Sequence, residues 1–431
     1  MAITKKIMLF LLLFGWTLAA AQPQRVRIVQ EDDAFTLTVD GTPFMINGMN
    51  WDYFPIGTNY TYSLWEQSDD LIRQALDREM TLLQDMGVNV LRQYTGIPAR
   101  WIQYIYEEYG IFTMLNHSFG RYGLRLDGED MPNTEYADPR VQELLRSEVE
   151  AMAESYRDTP GLLLYLLGNE NNFGLFWGGA ETEDVPVADR ASTVRARAMY
   201  DLFNQAALII QAIDPHHPVA ICNGDLQFLD LIAAHCPDVD ILGTNMYRGP
   251  SFGDAFQRVK TVLDRPILFT EFGADAFDAL QQQEDQLSQA YYLVQNWQEI
   301  YENGAGAGGT GNAIGGFTFQ FSDGWWKVGQ TTNLSVHDRK ATWANGGYEN
   351  DYQEGKDNMN EEWFGICAKG KPDQSGLYPL YPRAAYYALQ QAHQLAFTRA
   401  ITRAEIREHF SHIQLKKALR RAKKKSKATN Y

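Results

Sequence analysis

Eight short, almost wholly apolar runs recur along this chain with helix-length segments between several of them, and few architectures absorb that rhythm. The runs cover residues 44–50, 89–94, 111–116, 162–169, 218–223, 240–245, 266–270 and 315–321. A strand covered on both faces loses the polar alternation of a half-exposed strand and reads as a continuous apolar stretch. Strands of that kind separated by segments of helical period signal βαβ units and a parallel sheet. Residues 68–86 show the period: Leu71, Ile72, Ala75, Leu76, Met80, Leu82, Leu83 and Met86 fall on one face, and Gly87 stands where a helix ends. Segments 139–156, 194–213 and 283–303 behave similarly. One (β/α)₈ unit takes about 250 residues, more with insertions, so 431 residues accommodate a single α/β barrel.

The sequence divides around that barrel. Residues 1–21 carry Lys5 and Lys6, an apolar run from 7 to 16, and Ala19-Ala20-Ala21, the pattern of a secretory signal peptide. The run falls short of the roughly 20 residues of a membrane span, so the expectation is a secreted or periplasmic protein with no stable membrane span once the leader is cleaved. Residues 22–43 read as a short β segment and 44–398 as the barrel. Residues 304–316 read as a Gly-rich loop into the eighth strand, 331–365 as a long loop over the mouth, and 379–397 as the eighth helix. Residues 399–431 form a basic tail, expected to be a solvated, fraying helical end. From residue 397 onward eleven Lys/Arg face two Asp/Glu, a net +9, which leaves −25 for the rest of a chain of net −16. So acidic a body disfavours nucleic acid as partner. Cys222, Cys236 and Cys367 are too few and too scattered for a disulfide framework or a metal cluster, and no His-x-x-x-His occurs. No cofactor or metal is expected.

Active sites of barrels lie at the C-terminal ends of the strands. The fourth run ends on Asn169 and Glu170, the seventh on Glu271. Strands four and seven stand across a barrel from one another, and two carboxyls facing across a mouth suit glycoside hydrolysis. One must stay protonated to give the leaving oxygen its proton. The other must be ionised to meet the developing oxocarbenium charge. A nearby Arg favours the ionised form, and Arg92 ends strand two. Phe173, Phe176 and Trp177 could supply an apolar wall that raises Glu170. Asn50, Trp51, Asp52 and Tyr53 follow strand one, Asn116 and His117 strand three, Asn223 and Asp225 strand five, and Asn245 and Arg248 strand six. Any of these could contact a sugar, and aromatic faces stack on pyranose rings.

Asn169-Glu170 after the fourth run, paired with Thr270-Glu271-Phe272-Gly273-Ala274-Asp275 after the seventh, resembles the retaining β-glycosidases of glycoside hydrolase clan A. The second segment is most similar to the nucleophile segment of family 2 catalytic barrels. The resemblance covers about residues 44–326 and extends to family 5 glucanases and family 72 glucanosyltransferases. It implies Glu170 as acid/base, Glu271 as nucleophile, Arg92 as support for the nucleophile and Asn169 as partner of the sugar 2-hydroxyl. It implies further that Tyr247 hydrogen-bonds the nucleophile and that Trp325 or Trp326 forms the platform under the −1 sugar. The two carboxyls are then expected about 5–5.5 Å apart. Family 2 enzymes carry β-sandwich domains ahead of the barrel. Here a short β segment stands in that place, which leaves their exo-acting pocket layout open. The function expected is hydrolysis of β-linked oligo- or polysaccharide through a glycosyl-enzyme. The alternatives are a β-glucanosyltransferase using the same two Glu, a non-catalytic carbohydrate-binding barrel, and a scaffold that works through its basic tail.

Overall fold

The computed structural model describes residues 23–94, 96–176, 186–327 and 329–428. The leader-like segment and Trp177 therefore lie outside the described residues. Three strands open the fold as an antiparallel sheet: β1 (Val26–Glu31), β2 (Ala34–Val39) and β3 (Thr42–Pro43). Eight more follow: β4 (Ile46–Asn50), β5 (Val90–Gln93), β6 (Phe112–His117), β7 (Leu162–Leu167), β8 (Val219–Gly224), β9 (Ile241–Asn245), β10 (Ile267–Phe272) and β11 (Ala313–Thr318). These close into a barrel, each paired in parallel with its neighbours and the last returning to the first. The chain folds as a (β/α)₈ TIM barrel, with each apolar run supplying one strand. β7 through β11 are buried at every residue, which is why none shows polar alternation.

The helices are α1 (Asp69–Met86), α2 (Ala99–Tyr109), α3 (Pro139–Tyr156), α4 (Ala191–Ile213), α5 (Leu229–His235), α6 (Ala255–Leu263), α7 (Gln286–Glu302), α8 (Ala384–Ala392), α9 (Arg403–Ser411) and α10 (Leu415–Ala428). Their ends are written in the sequence. The Ser68 side chain caps α1 by accepting from the Leu71 N–H, Asp69 and Asp70 sit in its first turn, and Gly87 ends it at φ 89°. A Cβ at Gly87 would stand 2.9 Å from the His393 Cβ, so the glycine also lets α8 approach.

The β1–β3 sheet closes the bottom of the barrel. The Val26 and Phe35 N–H groups donate to the carbonyls of His216 and Gly311, just ahead of β8 and β11. Val26 and Leu37 then join Ile46, Val90, Phe112 and Leu163 in one apolar cluster. With that end plugged, the C-terminal strand ends are the face left for a site.

The basic tail corrects an expectation. It is two helices docked on the barrel, not a solvated end. Ile406, Phe410, Ala418 and Ala422 are buried, at the four-residue spacing that gives a helix one packing face. Thr402 and Glu405 form a capping box that starts α9. Arg403 and Arg407 both donate to the buried carboxylate of Glu302 on α7. β11 also begins at Ala313, inside the stretch read as a Gly-rich loop. The three cysteines are buried free thiols. Among the described residues no helix is long and apolar enough to cross a membrane.

Candidate active site

β7 and β10 are separated by two strands on one side of the closed barrel and by four on the other. Residues at their C-terminal ends therefore face each other across the mouth. Beyond β7 the chain turns sharply. Gly168 takes φ 85° and Glu170 φ 56°, a left-handed conformation that non-glycine residues adopt at a cost of roughly 1–2 kcal/mol. Two asparagines hold the turn in place. The Asn171 side chain accepts from the Asn169 N–H at 2.7 Å and donates to the carbonyls of Ser118 and Phe119. Asn172 pairs both ways with Gly224 of β8, at 2.7 and 2.9 Å. The run Asn169-Glu170-Asn171-Asn172 is thus a turn built to hold Glu170 over the barrel. Strain kept at one residue by surrounding bonds is characteristic of functional positions.

Glu271 lies within β10, opposite Asn245 of β9, where the register slips by one residue. Such bulges at a barrel rim re-aim side chains. Its carboxylate accepts three hydrogen bonds: from Arg92 Nη1 at 3.0 Å and Tyr94 Oη at 2.5 Å on Oε1, and from Tyr247 Oη at 3.1 Å on Oε2. Arg92 is fully buried and spends its whole guanidinium on this network. It donates also to Asn116 Oδ1, Asn169 Oδ1 and the Thr270 carbonyl, at 3.0, 2.9 and 3.1 Å. A buried cation fixed in this way presents a set field to whatever Glu271 touches.

Glu170 differs. Burial first, and the charge of Glu271 second, push its carboxyl up to about 7, against smaller opposing effects of Asn245, Arg121 and Arg92. The arrangement therefore offers one carboxyl that keeps its proton near neutrality and one gripped by three donors. A proton donor and a positioned nucleophile across a cleft is what that pair can be chemically.

The structure gathers Glu170, Glu271, Arg92, Asn169, Asn245 and Tyr247 into one network. Asn169 is held on three sides: its Oδ1 accepts from Arg92 and from Asn245 Nδ2 at 3.0 Å, and its Nδ2 donates to Tyr122 Oη at 2.7 Å. Four other candidates make no described side-chain contact with this network. Trp51 is buried behind the barrel, its Nε1 donating to Glu79 of α1 at 2.6 Å. His117 turns outward to Glu148 of α3, 3.3 Å away. Trp325 stacks on His337 at 4.8 Å, and Trp326 packs against Phe54 and Tyr60. Among the described residues neither buried indole Nε1 finds an acceptor, and no described contact joins either ring to the carboxyls. The aromatic residue that the end of β11 brings to Tyr247 is Phe319, its ring centroid 6.4 Å away.

Three members of the site were missed from sequence. Tyr94 touches both Glu271 and Asn50. Its signal was present, since it stands two residues beyond Arg92 and strand residues two apart share a face. Tyr122 and Arg121, in the loop after β6, gave no comparable signal.

No protein-family model matches the chain, and none of the curated proteins matches it in sequence. Solved structures do match it in fold. The β-D-glucuronidase of Dictyoglomus thermophilum superposes at TM-score 0.52 with 14% identity, covering 87% of this chain and 54% of that one. Bacteroides uniformis β-glucuronidase 2, solved covalently bound to cyclophellitol-6-carboxylate aziridine, gives TM-score 0.55 with 13% identity, over 87% of this chain and 38% of that one. The GH2 β-galacturonidase of Eisenbergiella tayi gives TM-score 0.50 with 14% identity, over 86% and 54%. The chain thus spans about half or less of these proteins. What the likeness shows is a shared barrel fold.

Proposed function

We propose that the protein is a retaining β-glycoside hydrolase acting on β-linked oligo- or polysaccharide. Glu271 attacks the anomeric carbon and Glu170 protonates the departing glycosidic oxygen. Glu170, now a carboxylate, then takes a proton from water as that water displaces Glu271 from the glycosyl-enzyme. The observation that carries the reading is the contrast between the two carboxyls, one pushed up to about 7 by burial, the other fixed by Arg92, Tyr94 and Tyr247. Two such environments at one mouth are how an acid and a nucleophile are assigned. Solved barrels of similar fold that carry glycosidase names support the same reading. Export through the leader-like residues 1–21 belongs to this proposal, and the N-terminal sequence of secreted protein tests it.

The decisive experiment is hydrolysis of a panel of aryl β-glycosides and β-glucan oligosaccharides by purified protein, with the first-formed anomer followed by proton NMR. Release of the β-anomer supports the reading. Release of the α-anomer contradicts it, and longer oligosaccharides formed in place of free sugar indicate a transferase.

Within that assay Tyr94 and His117 separate by position. Tyr94→Phe removes a short donor to Glu271 and is expected to lower kcat/KM about 10²-fold, the scale on which a lost transition-state donor is felt. His117→Ala removes a contact to α3 and is expected to stay within about threefold, as neutral contacts remote from the chemistry do.

A further inference from the structure

The loop after β6 places a cation, Arg121, at the mouth that makes no ion pair with any described carboxylate, although its charge reaches Glu170. Arg121 precedes Tyr122, whose hydroxyl is tied to Asn169, so the loop is held against the acid/base turn. The guanidinium lies over Gly174, with Nη1 3.4 Å from the point a Cβ there would occupy. Gly174 sits one residue beyond Phe173, whose N–H closes the turn on the Glu170 carbonyl at 3.0 Å. Arg121 Nε is buried and finds no acceptor among the described residues. The ring of Tyr122 is 5.7 Å from its Cζ.

The other cations around the mouth are committed. Arg92 is spent on Glu271, Arg248 on Asp225 and Asp254, and Lys327 on Asp338. Removing part of a guanidinium from water without an acceptor is costly, and such groups are normally paired. An anionic sugar would also meet Glu170, Glu271 and a body of net negative charge, so it needs a cation at the rim to enter at all. A planar guanidinium whose N–H groups donate to no described residue matches a carboxylate or sulfate bidentately.

We infer that Arg121 is a specificity-determining residue that receives an anionic substituent, a carboxylate or a sulfate ester, on the carbohydrate bound at this mouth. The inference rests on the glycosidase reading for where the sugar sits. It goes beyond that reading in naming acidic glycosides as the substrate class.

The test compares wild type, Arg121→Gln and Arg121→Lys on 4-nitrophenyl β-D-glucuronide, β-D-galacturonide, 6-sulfated β-D-glucoside and β-D-glucoside. Binding of D-glucuronate, D-galacturonate, glucose 6-sulfate and glucose to the same proteins is read by calorimetry. Expected is a preference for an acidic glycoside that Arg121→Gln cuts about 100-fold in kcat/KM, the scale of a lost charge-assisted pair. The acidic glycoside should lose at least tenfold more than the neutral glucoside, and Arg121→Lys should restore part of that difference. Whether uronide or sulfated glucoside shows the preference identifies the anion. Hydrolysis of neutral glycosides alone, or equal rates in Arg121→Gln, overturns the inference and leaves the glycosidase reading standing. Should no glycoside be hydrolysed, that reading falls, and calorimetry decides the inference. Uronate or sulfated sugar bound by wild type and lost in Arg121→Gln upholds it. Equal binding by both, or none, ends it.

Discussion

Glu271→Gln is expected to abolish turnover, with kcat falling by about 10⁵–10⁶, the scale on which removing a covalent nucleophile acts in enzymes that use one. The amide keeps nearly the shape of the carboxylate, so the loss reports chemistry, not a collapsed site. Folding should survive but weaken. Arg92 is fully buried and would lose its charge partner while keeping Asn116, Asn169 and the Thr270 carbonyl. Removing one member of a buried pair costs about 3–5 kcal/mol, and the retained hydrogen bonds place this variant at the low end. A thermal melt beside the kinetics separates the two effects. A smaller residue makes the sharper chemical test. With Glu271→Gly, azide can occupy the vacated space and attack an activated β-glycoside once, giving the α-glycosyl azide. The β-azide from that variant would mean that Glu271 is not the group that approaches the anomeric carbon.

Glu170→Ala should divide the two steps. An aryl leaving group that departs without a proton needs no acid, so glycosylation continues and the glycosyl-enzyme accumulates, because no base activates water. A burst followed by slow turnover is the expected trace, with azide restoring turnover and yielding the β-glycosyl azide. A natural leaving group needs the proton, and kcat/KM should fall about 10²–10⁴-fold, the range of general acid catalysis. The pH dependence follows from the same residue. Its carboxyl is pushed up to about 7, chiefly by burial. The required form is the protonated one, so wild-type activity declines as pH rises through about 7. In Glu170→Ala that alkaline limb should disappear. Its persistence would assign the limb to another group and remove the acid role from Glu170.

Glu170, Glu271, Arg92, Asn245 and Tyr247 were legible because each stands at or just beyond the end of an apolar run, and strand ends of a barrel converge on one mouth. The capping box of Thr402 and Glu405 and the apolar spacing of Ile406, Phe410, Ala418 and Ala422 were also readable. Net charge drew the reading of the tail toward a solvated end and hid the packing face. Trp51 and His117 misled for a shared reason: proximity to a strand end does not fix which way a side chain points. Alternation sent Asn116 to Arg92 and His117 outward to Glu148. Trp325 and Trp326 lie several residues past β11, where loop conformation and not strand geometry sets the direction. Arg121 and Tyr122 depend on a loop brought back to the turn after β7 by side-chain hydrogen bonds of Asn169 and Asn171, and no periodicity encodes that.

The central claim is that Glu271 forms a covalent glycosyl-enzyme, and trapping that species tests it most directly. The protein would be incubated with 2,4-dinitrophenyl 2-deoxy-2-fluoro-β-glycosides, neutral and acidic, then read by intact-mass and peptide mass spectrometry. The account predicts a single glycosyl adduct on Glu271, absent in Glu271→Gln and formed normally in Glu170→Ala. An adduct on another residue, or rapid hydrolysis of the parent glycosides with release of the α-anomer and no adduct, would contradict it.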